Sequence, residues 1–373
     1  MGLPAATIAC NSAEEKLMTT ATAPAIAIQR VDRSRLPDLD FATLGFGSVY
    51  SDHMLSAEYT GGRWGEPALV PFGPLPLSPA TAALHYGQSV FEGLKAHRAP
   101  GGEVLLFRPD ENARRFRRSA ERMAMPPVPE AVFVEGLREL VRLDAGWVPP
   151  AGGGALYIRP LLFATDPSLR VRPAEGYRLV VFTFPFGAYF PPTIDALVSP
   201  THVRAFPGGT GDVKPAGNYG AGLVAEAAAR AEGCDTVLWL DGWEHRYVEE
   251  CGVMNLFVVL GDVVVTPPLG GTILGGVTRD SVLTLLRDAG HRVEERRLAI
   301  DEVVAAHREG RLRECFGTGT AATLAHVRRL RYDGADLLLP PVEARTVGPA
   351  VKERLIAIMS GRAPDPYGWL LRL

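Results

Sequence analysis

Lysine is scarce in this chain: Lys16, Lys95, Lys214 and Lys352 are its only representatives, and arginine supplies the rest of the 39 cationic side chains. Lys214 lies in Gly209-Thr210-Gly211-Asp212-Val213-Lys214-Pro215-Ala216-Gly217-Asn218-Tyr219-Gly220. A lysine framed by glycines and a proline, just before a helical stretch, is a candidate for Schiff-base chemistry. Its amine condenses with an aldehyde and then shuttles a proton as general acid and base. The ordinary state of a loop lysine is a solvated one, but the residues downstream of Lys214 narrow the choice. Tyr219 is five residues on, and Glu250 lies in Val248-Glu249-Glu250-Cys251-Gly252-Val253-Met254-Asn255. Two segments then bring glycine and threonine together: Gly275-Gly276-Val277-Thr278 and Gly317-Thr318-Gly319-Thr320-Ala321-Ala322. Both read as helix entries, where free N–H groups and hydroxyls form a phosphate site. Each alone is an ordinary cap. A lysine, a tyrosine, a carboxylate and two such caps together point to a phosphorylated aldehyde cofactor. Pyridoxal phosphate needs such a set: a lysine, an acid for its ring nitrogen and a phosphate cup.

The elements that must position these residues are legible in outline. Residues 45–108 alternate as strands and turns, with Gly61-Gly62 and Gly101-Gly102 as hairpin turns. Pro109 and two acids open a helix at Arg108. A second helix is expected over about 130–145, and buried strands over 155–164 and 177–186, rich in Leu, Val, Phe and Tyr. Pro185-Phe-Gly-Ala-Tyr-Phe-Pro-Pro192 collects turn-formers and aromatics and reads as a linker. Beyond it the pattern predicts a strand over 195–206, a helix of small residues over 220–232, strands at 236–241 and 256–260, and helices near 278–289 and 301–307. Strands and helices mix without a steady alternation, so the expected class is α+β. The expected division is a tail over 1–28, a smaller domain over 29–185, a connecting loop over 186–194 and a larger domain over 195–373.

With 373 residues, 47% apolar and 22% charged, the chain has ample material for buried cores. A net charge of −3 argues against a nucleic-acid or anionic-membrane surface. No apolar run reaches the roughly 18 residues of a membrane span, and the N-terminus lacks a signal-peptide pattern. Cys10, Cys234, Cys251 and Cys315 are far apart, which fits a reducing cytoplasm, with Cys251 and Cys315 as buried structural residues. The eight histidines are scattered, so no metal site is expected.

Several blocks, in order, resemble the branched-chain amino acid aminotransferases of the class IV, fold-type IV pyridoxal phosphate family: His85-Tyr86-Gly-Gln-Ser-Val-Phe91-Glu-Gly-Leu-Lys95, Phe107-Arg108-Pro109, Leu156-Tyr157-Ile-Arg159-Pro160, Thr210 to Tyr219, Gly252-Val-Met-Asn255-Leu-Phe257 and Gly319-Thr320-Ala321. The resemblance spans about residues 40–345. It implies two α/β domains with the cofactor in the cleft between them, and a homodimer. It implies that Lys214 carries the cofactor as a Schiff base and moves the substrate proton. Glu250 then pairs with the ring nitrogen, and Tyr219 bonds the phenolate oxygen. Arg115, Val277, Thr278 and Thr320 hold the phosphate. Arg114, Arg117 and Arg118 flank Arg115, and the Arg-Ser-Ala after them sets the register.

On the substrate side the resemblance implies Tyr86, Phe91, Tyr157, Arg159 and Tyr189, with backbone near Val253 and Ala321 binding the α-carboxylate. Aromatic rings enclose a Leu, Ile or Val side chain, while Arg159 and tyrosine hydroxyls meet the carboxylate of glutamate. Tyr189 sits on the connecting loop, which closes over the site in that family. Lys95 falls on a family block but is expected to be peripheral. Val253 stands where some relatives have threonine, and Ala322-Thr-Leu-Ala325 where some carry a redox C-x-x-C. The expected reaction moves the amino group of L-leucine, L-isoleucine or L-valine to 2-oxoglutarate. The alternatives are a D-amino acid aminotransferase or an aminodeoxychorismate lyase of the same fold. A cofactor-binding protein without turnover is a third reading, against which Lys214, Tyr219 and Glu250 are all intact.

Overall fold

The computed structural model describes residues 25–187 and 191–373. Its frame is two β-sheets of ten and nine strands, with helices packed against them, in agreement with the expected α+β class. The first sheet is built around Ala155–Ala164 and Tyr177–Phe186, antiparallel partners from Ala155↔Phe186 to Ala164↔Tyr177. His53–Thr60 extends it on one side, and Leu94–Arg98 with Val104–Phe107 on the other. Helices Pro109–Arg122 and Glu130–Leu143 cover this sheet, with the Phe116 and Phe133 rings 5.4 Å apart. Leu55, Leu137, Leu140, Leu156 and Ile158 are fully buried in that core, each contributing roughly 1.5–3 kcal/mol by leaving water.

The second sheet runs Val248–Cys251, Thr236–Leu240, Thr193–Val198, Thr323–Tyr332, Leu312–Gly319, Met254–Leu260, Val263–Thr266 and Arg292–Glu295. Thr193–Val198 lies parallel to Thr236–Leu240. Parallel neighbours cannot be joined by a hairpin and need a long crossover. That crossover holds the Lys214 loop and then helix Leu223–Ala231, whose Ala225 and Ala229 pack on Trp239. The small residues of this helix let it sit close to the sheet.

Four sequence expectations are corrected. Gly317–Ala322 does not enter a helix. Leu312–Gly319 and Thr323–Tyr332 form an antiparallel hairpin, pairing Gly319 with Thr323, and residues 320–322 are its turn. Glycine and threonine suit a tight turn between strands as well as a helix start, and only the pairing partner distinguishes the two. The strand expected over 195–206 ends at Val198. The expected tail over 1–28 is too long at its inner end, because Ala27–Ile28 pairs in parallel with Ala68 and Leu69. The larger unit does not keep the chain to residue 373: Leu370–Arg372 returns to the first sheet and pairs with Val104–Phe107. Trp369 lies beside it there, packing edge-on to Phe107 at 5.6 Å.

Candidate active site

A cavity of about 450 Å³ lies where the two sheets meet. Lys214 reaches it from the crossover loop. Its backbone is fixed on both sides: Lys214 N–H donates to Ser119 Oγ at 3.1 Å, and Lys214 C=O accepts from Phe91 N–H at 3.1 Å. The side chain is therefore held by the helix and the short strand of the first sheet as well as by its own loop. Nζ is 2.7 Å from the Tyr219 hydroxyl and 4.5 Å from the centre of the Phe91 ring. Only 9% of the residue is exposed. The structure thus brings together Lys214 and Tyr219, two residues singled out in the sequence.

Glu250 stands at the other side of Tyr219, in a small recess that shares Tyr219, Val253 and Leu274 with the cavity. It is 3% exposed. Burial pushes its carboxyl up, opposed by the Arg204 guanidinium and the Leu274 N–H. Arg204 Nε is 3.2 Å from Oε2, and Leu274 N–H donates to Oε1 at 2.8 Å. A buried carboxylate held in this way is completed by a further cationic N–H donor. Glu250 is held in a hairpin opposite Asn255, whose side chain donates to Leu274 C=O at 2.8 Å. A Cβ on Gly276 would lie 2.0 Å from Asn255 Oδ1, so only glycine allows this close approach. The carboxylate and the glycine turn before helix Val277–Asp288 are therefore one rigid unit.

That helix start has no side-chain cap, which leaves its first N–H groups free beside Val277 and Thr278. Arg115 faces it from helix Pro109–Arg122. Its Nε and Nη2 grip the two oxygens of fully buried Glu92 at 2.6 and 2.8 Å, and its Nη1 donates to Gly275 C=O at 3.2 Å. Asn112 adds a third bond to Glu92 at 2.8 Å. Burial pushes the Glu92 carboxyl up, but Arg115, with Lys214 and the Asn112 amide, brings the net shift downward; burial opposes the Arg115 charge, and Glu92 raises it on balance. The choice among neighbouring arginines is decided by the helix face. Arg114, Arg117 and Arg118 are exposed, while Arg115 is buried and lines the cavity.

Across from Lys214 the wall is aromatic. Tyr157 stacks on Phe184 at 5.0 Å, and Phe46 meets Tyr157 edge-on at 5.0 Å. The Arg159 guanidinium lies 4.9 Å from the Phe91 ring centre and 5.3 Å from that of Tyr157. Arg159 Nε is buried with no hydrogen-bond partner among the described residues, and Arg159 Nη2 reaches the Tyr157 hydroxyl at 3.4 Å. A Cβ on Gly93 would lie 2.1 Å from the Tyr157 hydroxyl, so this glycine keeps the ring in place.

Of the residues expected at the site, Lys214, Arg115, Tyr219, Val277, Thr278 and Thr320 line the cavity, with Glu250 in the adjoining recess. Phe91, Tyr157, Arg159, Val253 and Ala321 line it too. Tyr86 does not join them: it is 44% exposed, and its hydroxyl donates to Leu169 C=O at 2.5 Å. The five-residue helix Ala82–Tyr86 ends at Gly87 in the left-handed conformation, which turns the tyrosine away from the cavity. Tyr189 lies outside the described residues. Sequence reasoning missed Phe46, Glu92, Arg204 and Thr318. Thr318 is 1% exposed and lines the cavity, and its hydroxyl has no hydrogen-bond partner among the described residues. Nothing in the local sequence marks Arg204 as the partner of Glu250. Among the described residues no cluster of metal-ligating side chains occurs, and no helix is long and apolar enough to cross a membrane.

The family model for amino-transferase class IV matches residues 89–330, and the chain belongs to that family. It is similar to a branched-chain-amino-acid aminotransferase of Mycobacterium tuberculosis, with 46% identity covering 94% of this chain and 96% of that protein. Branched-chain-amino-acid aminotransferase 2 of Bacillus subtilis is 42% identical, covering 90% of this chain and 94% of that one. Among solved structures, the branched-chain amino acid aminotransferase of Escherichia coli superposes with a TM-score of 0.69 at 28% identity, covering 86% and 98%. The branched-chain amino acid aminotransferase of T.th., complexed with N-(5'-phosphopyridoxyl)-L-glutamate, gives 0.68 at 30% identity, covering 84% and 97%.

Proposed function

We propose that the protein is a pyridoxal-phosphate-dependent branched-chain-amino-acid aminotransferase. Its substrates are L-leucine, L-isoleucine or L-valine and 2-oxoglutarate. The observation that carries this reading is the arrangement around Lys214. Its amine, the Tyr219 hydroxyl and the open helix start at Val277 line one cavity, and the Glu250 carboxylate stands in the recess that adjoins it at Tyr219. Those groups match the aldehyde, phenolate, ring nitrogen and phosphate of the cofactor. When bound, the cofactor supplies an electron sink for the substrate α-carbon.

The chain's own residues do the rest. Lys214 holds and moves the proton at the α-carbon, and the Tyr219 hydroxyl 2.7 Å away keeps its amine in position. Glu250, fixed by Arg204 and Leu274, presents negative charge to the ring nitrogen. Arg115 stays preoriented by Glu92, so little side-chain entropy is lost when it meets phosphate. Phe46, Phe91 and Tyr157 exclude water and receive the apolar side chain. The Arg159 guanidinium lines the cavity and is placed for the second carboxylate of glutamate.

The test is to add L-leucine alone to the pyridoxal phosphate-loaded protein. The cofactor absorbance is expected to move from about 410 nm to about 330 nm as the amino group is taken up. A band that ignores L-leucine and responds to D-alanine would instead favour a D-amino acid aminotransferase. In the same assay Arg159→Met is expected to raise KM for L-glutamate about tenfold or more and to change that for L-leucine less than about threefold. Equal effects on both substrates would show that Arg159 does not read the second carboxylate.

The reading also includes a homodimer in a reducing, cytoplasmic setting. Leu84, Leu169 and Val171 are 63%, 59% and 85% exposed around Tyr86, an apolar surface suited to a second copy. The cysteines Cys234, Cys251 and Cys315 are buried and free. Light scattering should give twice the 40.1 kDa chain mass, and a monomer at micromolar concentration would count against the dimer.

A further inference from the structure

Lys214 serves the site described above, and two of the remaining lysines meet at a second cavity of about 590 Å³. Lys95 enters it from strand Leu94–Arg98 and Lys352 from helix Gly348–Met359. In a chain that uses arginine almost everywhere else, this pairing calls for a physical account. Among the described residues no Asp or Glu lines the cavity, and neither lysine has an ion-pair partner. Lys95 is 5% exposed; its Nζ donates to Ala321 C=O and to Thr323 Oγ1, both at 3.0 Å. Those two bonds leave one ammonium proton unmatched. Lys352 has no hydrogen-bond partner among the described residues. His97 Nε2, on the same wall, is buried and has no hydrogen-bond partner among the described residues.

The arginines there are committed elsewhere. Arg98 donates to the carbonyls of Gly102, Ala145 and Val148, and Arg362 pairs with Glu353 at 3.0 Å. Burying cations without a countercharge is costly, and folded proteins normally pair them. Burial, and secondarily the charge of Lys352, brings Lys95 down to about 7. An anion held between the two ammonium groups would remove that cost. Thr323 and Ser360 add polar groups to the wall, while Phe186, Leu324 and Ile356 give it apolar surface.

We propose that this second cavity binds a small organic carboxylate, its head group between Lys95 and Lys352 and its apolar body against Phe186, Leu324 and Ile356. The cavity shares Ala321 and Ala322 with the cavity at Lys214. An anion that draws the Lys95 amine off the Ala321 carbonyl loosens the Thr320–Ala322 turn, so occupancy is felt as a change in substrate KM. The binding site itself does not rest on the aminotransferase reading.

The test uses 4-(trifluoromethyl)benzoate and the cofactor-loaded protein, followed by fluorine NMR line broadening. Binding is expected in the wild type and in Arg159→Met. Lys352→Met is expected to weaken it about tenfold or more, the effect of one lost charge-assisted contact, with basal transamination unchanged. Binding that survives Lys352→Met, or that disappears in Arg159→Met, puts the probe in the substrate cavity or on the surface and overturns the proposal. Lys95→Met is the second variant: it is expected to weaken binding as well, and full retention there also overturns it.

Discussion

Replacing Lys214 by alanine is expected to lower kcat for L-leucine by about 10⁴-fold, the upper range for a positioned acid–base group. Transamination requires a proton to leave the α-carbon and to return at another atom, and the cavity offers one amine within reach of both. The Tyr219 hydroxyl, 2.7 Å from that amine, is a phenol O–H, which holds a proton rather than accepting one as an amine does. The loss should be chemical rather than structural. Lys214 is tied to the fold by its backbone, through Ser119 Oγ and Phe91 N–H, and those bonds survive the substitution. The variant should therefore unfold at nearly the wild-type temperature. Two readouts check it: steady-state kinetics, and recovery after borohydride of cofactor attached to the tryptic peptide that contains residue 214. Activity within about tenfold of wild type, or cofactor found on the peptide of Lys95 or Lys352, would move the chemistry away from this loop.

Glu250→Gln is expected to cost about 10²- to 10³-fold in kcat, the scale of a lost preorganised electrostatic contact. Glutamine keeps the shape and still accepts from Leu274 N–H, so the site is not dismantled. What disappears is the negative charge that stabilises a protonated ring nitrogen. Arg204 stays in place because its Nη2 also donates to the carbonyls of Gly211 and Thr272. Glu250→Asp keeps the charge and should recover part of the loss. A kcat equal to that of wild type in Glu250→Gln would sink the assignment of Glu250 to the ring nitrogen. A large fall in unfolding temperature would show that the carboxylate serves the fold instead, as the countercharge of Arg204.

Local pattern was a good guide wherever an element's burial repeats along it. Strands Ala155–Ala164 and Tyr177–Phe186 and the helices at Pro109, Glu130 and Val277 lie where periodicity and caps put them. It failed at Gly317–Ala322, because a Gly-Thr segment suits both a helix start and a hairpin turn. The strand Thr323–Tyr332 that decides between them is fixed on its other side by Thr193–Val198, a partner from far earlier in the chain. It failed again at Leu370–Arg372, where a short edge strand joins a sheet begun over 260 residues earlier in the chain.

The chemistry was determined by the sequence itself: a scarce lysine in a glycine-proline loop, a tyrosine five residues on, and a carboxylate and Gly-Thr segments downstream. Residue type sets what a group can donate, accept or attack, and that does not depend on the fold. Geometry and partners were decided only by the tertiary structure. It placed Arg115 rather than Arg114 on the cavity, because one helix face is buried against the sheet. It brought Arg204 to Glu250 and Glu92 to Arg115, pairs that form across loops and sheets. It turned Tyr86 outward, and it set Lys95 and Lys352 at one cavity although more than 250 residues separate them. Burial and countercharge are properties of packed elements, and a linear pattern carries them only when the partners lie within a turn or two of one another.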